Sequence, residues 1–554
     1  MKRYVIVAAM LFAAVAMMAV PAKKGQWRMI TLTDGTQVRA ELCGDEYLHY
    51  MRDVEGNVYV KHVAGNYELA NDDALQARAR TRATTANGRR RARARKSNGD
   101  KGYHGSKKGL VILVDFSDAS FTVTNPKATF SDVLNKVDYK DGDFKGSVRD
   151  YFADQSNGEF LLNFDVVGPV LLSKPSTYYG ENDTDGYDLH PGEMVIEACK
   201  AVDDQVDFSN YVWGDDKTVN QVYVVYAGMG ENDGGEEESI WPHEYTLTEA
   251  EREGDGEGPI ILDGVTIDTY ACGSELNGSE KLCGVGLICH EFSHCLGLPD
   301  MYDVRPGGNN FGMGAWDLMD SGNYNGDGYC PAGYTSYEKW WAGWLTPIEL
   351  NLDAVQVNGM KALSENGDAY VIYNDSRRHL GIEGEYYLLE NRQLTGWDAK
   401  LWGSGLLVVH VDYDEEAWRK NKVNTVSSRQ RCTVIKADNS NYFLEGDTYP
   451  YEDNNSLTNT SIPKALLYNA NTDNGYLMNK PVTGITQNND GTISFKYEGN
   501  MNPTSIRSIS IDDDNCNMSV SGDRIFSIDG RYVGTDFNAL SPGIYIVNGK
   551  MVVR

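Results

Sequence analysis

Two histidines four residues apart, in the stretch Leu287–Asp303, constrain this chain more than any other feature. On a helix, side chains at that spacing lie one above the other, so His290 and His294 offer two imidazoles to a single cation. Glu291 stands beside that cation rather than on it. Gly297 follows the last periodic residue and Pro299 prevents the helix from resuming. The chain therefore turns, and Asp300, ten residues after His290, returns as a third ligand. Two neutral nitrogens, one more protein ligand and an open position are what zinc needs to activate water, with Glu291 taking the proton. Histidine is scarce, 9 in 554 residues, which makes a chance match to this pattern rare. Asp303 and Glu338 compete with Asp300, Glu338 because a glutamate from a separate helix is the third ligand in other such sites. Met319, in the turn-rich Gly314–Gly322, is where a methionine turn is expected beneath the metal.

The run His290–Asp303, the segment Trp316–Gly322 and the aromatic stretch Tyr337–Leu345 together resemble the immune inhibitor A family of secreted metallopeptidases. So do Gly146–Phe152 and Ile240–Glu244 upstream, and the likeness extends from about Lys107 to Asp447. The resemblance implies a zinc peptidase made with a removable propeptide. It also permits His243 a place in the cleft or at the tetrahedral intermediate, although an isolated histidine is more often structural.

Net charge is −29, which argues against nucleic acid and anionic membrane surfaces as partners and for solubility outside the cell. The Asn- and Asp-rich surface leaves room for calcium as well as zinc. Met1-Lys2-Arg3, the apolar run Tyr4–Val20 and Pro21-Ala22 have the layout of a secretory signal peptide, with cleavage expected after Ala22. The exported protein is then secreted or held at the cell surface, with no membrane span. Nine cysteines, an odd number, cluster in part around the histidine helix, where Cys272, Cys283, Cys289, Cys295 and Cys330 are candidates for bracing disulfides.

The expected fold is α+β and multidomain. After the signal peptide (1–22), residues 23–97 form a small β-rich propeptide that closes on the basic linker Gly88–Lys96, an exposed site for proteolysis. Within it, Cys43 as a thiolate or Asp45 as a carboxylate is a candidate to fill the open metal position and keep the precursor latent. Residues 105–348 form a zincin- or metzincin-like unit, with a buried strand at Gly109–Phe116, a helix at Ser147–Gln155 and a strand at Val219–Ala227. The acidic segment Gly228–Gly258 reads as a solvated face, with a calcium loop as its rival. Short alternating strands over 349–498 point to a β-sandwich, where His410 and Asp412 are packing residues before they are a second metal site. Residues 503–554 form a last β module that resembles the C-terminal sorting domain of the type IX secretion route of Gram-negative Bacteroidetes; the resemblance implies secretion machinery as a partner.

These readings converge on a secreted zinc endopeptidase made as a latent precursor, with His290, His294 and Asp300 on the metal and Glu291 as catalytic base. The alternative is a surface-displayed adhesion or binding protein whose zinc only braces the fold. A fourth ligand from Cys289 or Cys295 would favour that alternative, because structural sites are closed by four protein ligands.

Overall fold

A computed structural model describes residues 18–45, 48–61, 65–70 and 103–501 apart from 184–185, 306–307, 380 and 442–443, together with strands between residues 521 and 553. The leader to residue 17, the basic linker and the Asn502–Pro503 junction lie outside the described residues.

Alternation builds the N-terminal unit. After a two-residue strand, β1 (Met18–Ala19), come β2 (Trp27–Thr31), β3 (Gln37–Asp45), β4 (Leu48–Asp53), β5 (Val58–Lys61) and β6 (Tyr67–Leu69), an antiparallel sheet in chain order. Ile30, Ala40, Leu42, Met51 and Tyr59 are buried together, and Trp241 from the next unit completes their cluster.

The central sheet contains β7 (Gly105–Asp115), β8 (Phe160–Leu171), β9 (Val222–Met229), β10 (His243–Thr246) and β13 (Thr269–Leu276), while β11 (Ile260–Leu262) and β12 (Val265–Ile267) form a separate hairpin. Its order is β1-β10-β13-β9-β7-β8. Strands β13, β9, β7 and β8 run parallel; β10 is antiparallel to β13, and β1 caps the edge antiparallel to β10. Side chains alternate with period two, so Val111 and Leu113 of β7 join one core while Leu110, Ile112 and Val114 join the other. Burial on both faces is why this strand reads as an unbroken apolar run.

Helices α1 (Pro126–Asn135), α2 (Val148–Gln155), α4 (Val285–Cys295) and α5 (Ser336–Ala342) contribute to the first core, and α3 (Pro191–Val202) to the second. Helix α2 begins with a reciprocal capping box between Ser147 and Asp150. Helix α4 is wholly buried. Its Phe292 meets Phe152 and Phe164 edge-on at 5.7 and 5.4 Å, a burial worth roughly 3–5 kcal/mol against truncation to alanine. A Cβ on Gly286 would lie 2.0 Å from the Asn323 carbonyl oxygen, so only glycine lets the helix seat this closely on the 321–328 loop. Gly297 ends the helix at φ +84°, its N–H bonded to the His294 carbonyl at 2.8 Å.

Beyond residue 347 two sheets face each other. One comprises β14 (Ile348–Glu349), β16 (Tyr370–Arg378), β17 (Gly384–Arg392), β18 (Gly405–Asp412) and β19 (Cys432–Val434); the other comprises β15 (Val355–Met360), β20 (Val482–Gln487) and β21 (Ile493–Tyr497). Tyr387 and Leu389 of β17, with Leu406 and Val408 of β18, pack toward the three-stranded sheet. Their neighbours Tyr386, Leu388, Leu407, Val409 and Val411 enter the core that contains α4 and α5. Four further strands, β22 (Ser521–Ser527), β23 (Tyr532–Asp536), β24 (Ile544–Val547) and β25 (Lys550–Val553), form a small C-terminal sheet.

The expected disulfides are not found. None of the eight cysteines among the described residues is in a disulfide. Cys289 is buried in the core and the Cys295 thiol is directed to the Asn220 carbonyl, so hydrophobic packing braces the helix. Among the described residues no helix is long and apolar enough to cross a membrane.

Candidate metal centre

Three side chains meet at the end of α4. The Nε2 atoms of His290 and His294 are 3.2 Å apart, and Oδ1 of Asp300 lies 3.2 and 3.4 Å from them. Each ring is oriented from behind, His290 Nδ1 by the Leu318 carbonyl and His294 Nδ1 by the Leu298 carbonyl, both at 2.8 Å. With Nδ1–H donating to a carbonyl, a neutral imidazole presents the Nε2 lone pair inward. Burial raises the Asp300 carboxyl, but protons on the His294 and His290 rings, for which a bound cation would substitute, outweigh it and hold it at about 2, so this group is a carboxylate. Oδ1 has no hydrogen-bond donor. Three lone pairs thus face one another in a buried space, an arrangement that is repulsive without a cation and that matches the N2O donor set of zinc.

Asp300 is itself positioned from far along the chain. Asn421 Nδ2 donates to its Oδ2 at 2.5 Å, and Asn421 Oδ1 accepts its backbone N–H at 2.8 Å. Replacing Asn421 by alanine is expected to weaken metal affinity about 10–100-fold, read by competition with a chromogenic chelator; unchanged affinity would remove Asn421 from the site.

The competing ligands lie elsewhere. Glu338 caps its own helix, accepting from the Thr335 N–H and hydroxyl at 2.6 and 3.0 Å. Burial and the neighbouring Asp317 push its carboxyl well above the usual range. Asp303 is engaged by Arg305. Met319 is buried and its carbonyl accepts the N–H of Met301 at 2.7 Å, which ties the loop beneath His290 to the residue after Asp300. His243 is structural: Nδ1 meets the Trp241 carbonyl at 2.6 Å and Nε2 the Tyr270 hydroxyl at 3.1 Å, while burial lowers its pKa to about 4. His410 pairs with Glu385 at 3.0 Å, and Asp412 with Arg429 and Arg431. A second convergence, of His190, Glu193 and Asp255, caps a helix, because both Asp255 oxygens accept the N–H groups of Gly192 and Glu193.

Glu291 faces a peptide. The backbone N–H of Val20 donates to its Oε1 at 3.1 Å. Val20 directly follows β1, which is paired antiparallel with β10 so that Ala19 lies opposite His243 and Met18 opposite Glu244. Two side chains grip the main chain beyond: Trp241 Nε1 donates to the Val20 carbonyl at 3.0 Å, and the Tyr324 hydroxyl to the Pro21 carbonyl at 2.7 Å. Cys43 and Asp45 take no such place. Cys43 borders a cavity of about 330 Å³ beside Tyr302 and Asp303, and burial pushes its thiol up to about 11. Main-chain atoms of Val20, not a cysteine or aspartate of β3, lie over Glu291.

Residues 95–345 match the family model described as the immune inhibitor A peptidase M6 catalytic domain. The segment is similar to a peptidase M6 catalytic domain. Immune inhibitor A of Bacillus thuringiensis subsp. alesti is 25% identical over 284 residues, which are 43% of this chain and 40% of that protein. The pre-pro-metalloprotease PrtV of Vibrio cholerae serotype O1 is 24% identical over 285 residues, 43% of this chain and 30% of that one. The chain thus spans less than half the length of these relatives.

The acidic loop at 228–258 is neither bare nor solvated throughout. Glu231 is fully buried against His49 of β4 at 3.0 Å, and the His49 ring stacks on Trp241 with centroids 5.0 Å apart. Asp233 takes Lys23, and Glu237 takes Lys61 and the Tyr67 hydroxyl. The acids form the face on which the N-terminal sheet is seated. The basic residues of that sheet were a signal for this pairing, but sequence does not say which strand meets which loop.

Proposed function

We propose that this protein is a zinc-dependent endopeptidase, exported as a latent precursor, that hydrolyses peptide bonds of extracellular proteins. In this reading residues 1–22 are the signal peptide, 23–97 the propeptide, 105–348 a zincin- or metzincin-like catalytic domain, 349–498 a β-sandwich and 503–554 a type IX sorting domain. One observation carries it: three convergent lone pairs lie beside a carboxylate that accepts the amide N–H of an extended peptide. His290, His294 and Asp300 hold the metal. Zinc bound there would supply Lewis acidity to water and to the scissile carbonyl. Glu291 takes a proton from the attacking water on its carboxylate and returns it to the departing amine nitrogen. Its contact with the Val20 nitrogen supports the second half of that cycle. Trp241 and Tyr324 hold the peptide main chain, and β10 aligns it by strand addition. The adhesion alternative loses its main support, since neither Cys289 nor Cys295 joins the three converging ligands. Metal analysis with casein zymography tests the reading. One equivalent of zinc and clearing that a chelator abolishes are expected; clearing unaffected by metal removal would end it.

The seating of the N-terminal sheet supports latency. His49 is buried against Glu231, with Asp188, Trp241 and the Asp45 carbonyl around it. Burial is the largest influence and lowers its pKa, but Glu231, Asp188 and the Asp45 backbone together outweigh it and raise it above 6.5. A pKa raised in the docked state means that docking is fully favoured below about 6.5 and weakens as pH rises through the raised value. Asp188, also raised well above its usual range by burial and by Glu231, adds negative charge in the same direction as it ionises. Precursor held at pH 9 is therefore expected to gain casein-hydrolysing activity faster than precursor held at pH 6, when both are assayed at one pH. The difference should shrink in His49→Gln. Equal rates for the unaltered precursor at both pH values would rule this latch out.

A further inference from the structure

The segment Met18–Lys23 enters the cleft as a peptide substrate would, and its course identifies where a substrate's side chains are read. The peptide bond whose nitrogen faces Glu291 is Ala19–Val20. From there three main-chain groups are met along the cleft, the Val20 carbonyl by Trp241, the Pro21 carbonyl by Tyr324, and the Lys23 N–H by the Asn232 carbonyl at 2.9 Å, while the Ala22 N–H turns to the Gly44 carbonyl of β3 at 2.9 Å. Val20 is fully buried and Ala22 nearly so. Lys23 then turns its ammonium between two carboxylates, 3.0 Å from Asp233 and 3.4 Å from Asp327. The Asp233 side chain is only 9% exposed, so a charge placed beside it is shielded from water and its attraction is little screened.

We propose that Asp233, assisted by Asp327, forms a specificity subsite that selects substrates carrying lysine or arginine at the fourth position after the scissile bond. This rests on the reading of Glu291 and the three ligands as a peptidase centre. A charge-assisted contact of this kind discriminates by about tenfold or more. Expected cleavage after Ala22 by signal peptidase removes the residues over Glu291, and release of the N-terminal unit clears the subsite for other chains.

The test uses the secreted, processed protein and two fluorogenic peptides with the Met18–Gln26 sequence, one unaltered and one with glutamate in place of Lys23. Scission between the alanine and valine corresponding to Ala19 and Val20 is expected, with kcat/KM at least tenfold higher for the lysine peptide. In Asp233→Asn the ratio should fall toward one. A ratio is read because a merely weakened fold lowers both rates together. Equal rates for the two peptides, scission at another bond, or an intact lysine peptide in the presence of digested casein would each overturn the subsite. Failure to digest casein as well would instead sink the peptidase reading itself.

Discussion

Glu291→Gln is expected to bind one zinc and cleave almost nothing. Glutamine is nearly the same shape and can still accept the main-chain N–H that Glu291 receives at 3.1 Å, so a peptide should still dock. It cannot take a proton from water or deliver one to nitrogen. General acid–base assistance contributes 10²–10⁴-fold in enzymes at large, so kcat should fall by about a thousandfold. The metal content should be unchanged, because the carboxylate is not among the three converging ligands. Single-turnover assays with metal quantitation separate the two properties, and near-normal proteolysis by this variant would discard the mechanism.

The second large effect concerns Arg392, which is fully buried. All five of its N–H groups have acceptors. Nε and Nη2 reach Asp398 at 2.9 and 2.6 Å, Nη1 reaches Glu390 at 3.0 Å, and the Trp316 and Gly333 carbonyls take the others at 3.1 Å. The two carboxylates in turn hold the N–H groups of Ser336 and Gly333 at the mouth of α5. Removing the guanidinium leaves two buried anions uncompensated, a loss of about 3–5 kcal/mol. Arg392→Met is therefore expected to lower the melting midpoint by about 4–6 °C, and to impair activity through the loop that carries Leu318 and Met319. Lysine should not rescue it, since an ammonium cannot form the paired contact to Asp398. An unchanged midpoint in both variants would show the network to be dispensable.

Much of the centre was legible because its logic is local. The four-residue histidine spacing, the glycine stop and the return of Asp300 all lie within one turn of helix and one loop, and the structure brings those three side chains together. Glu338 was a false rival that the sequence could have retired: Thr335-Ser336-Tyr337-Glu338 is a capping-box pattern, and the carboxylate is consumed at its own helix start. The cysteines misled because an odd count in an exported chain invites pairing, whereas Cys289 serves as a small apolar filler. Other elements had no local signature. Asn421 reaches Asp300 across 121 residues, and no periodicity announces it. The acidic loop looked solvated because its partners, Lys23, His49 and Lys61, lie in another unit. The Glu385–Glu390 stretch read as a strand, but its burial on both faces depends on what covers each side.

That double covering bears on how such a protein could have been assembled. The matched family segment stops at residue 345, yet Tyr386, Leu388, Val409 and Trp418 share one interior with α4 and α5, and a ligand's support comes from residue 421. The boundary of the family match therefore passes through a continuous hydrophobic interior. Ancestry divides this chain at one point and cohesion at another, and trimming to the first would strip a wall from the very chamber that the alignment defines.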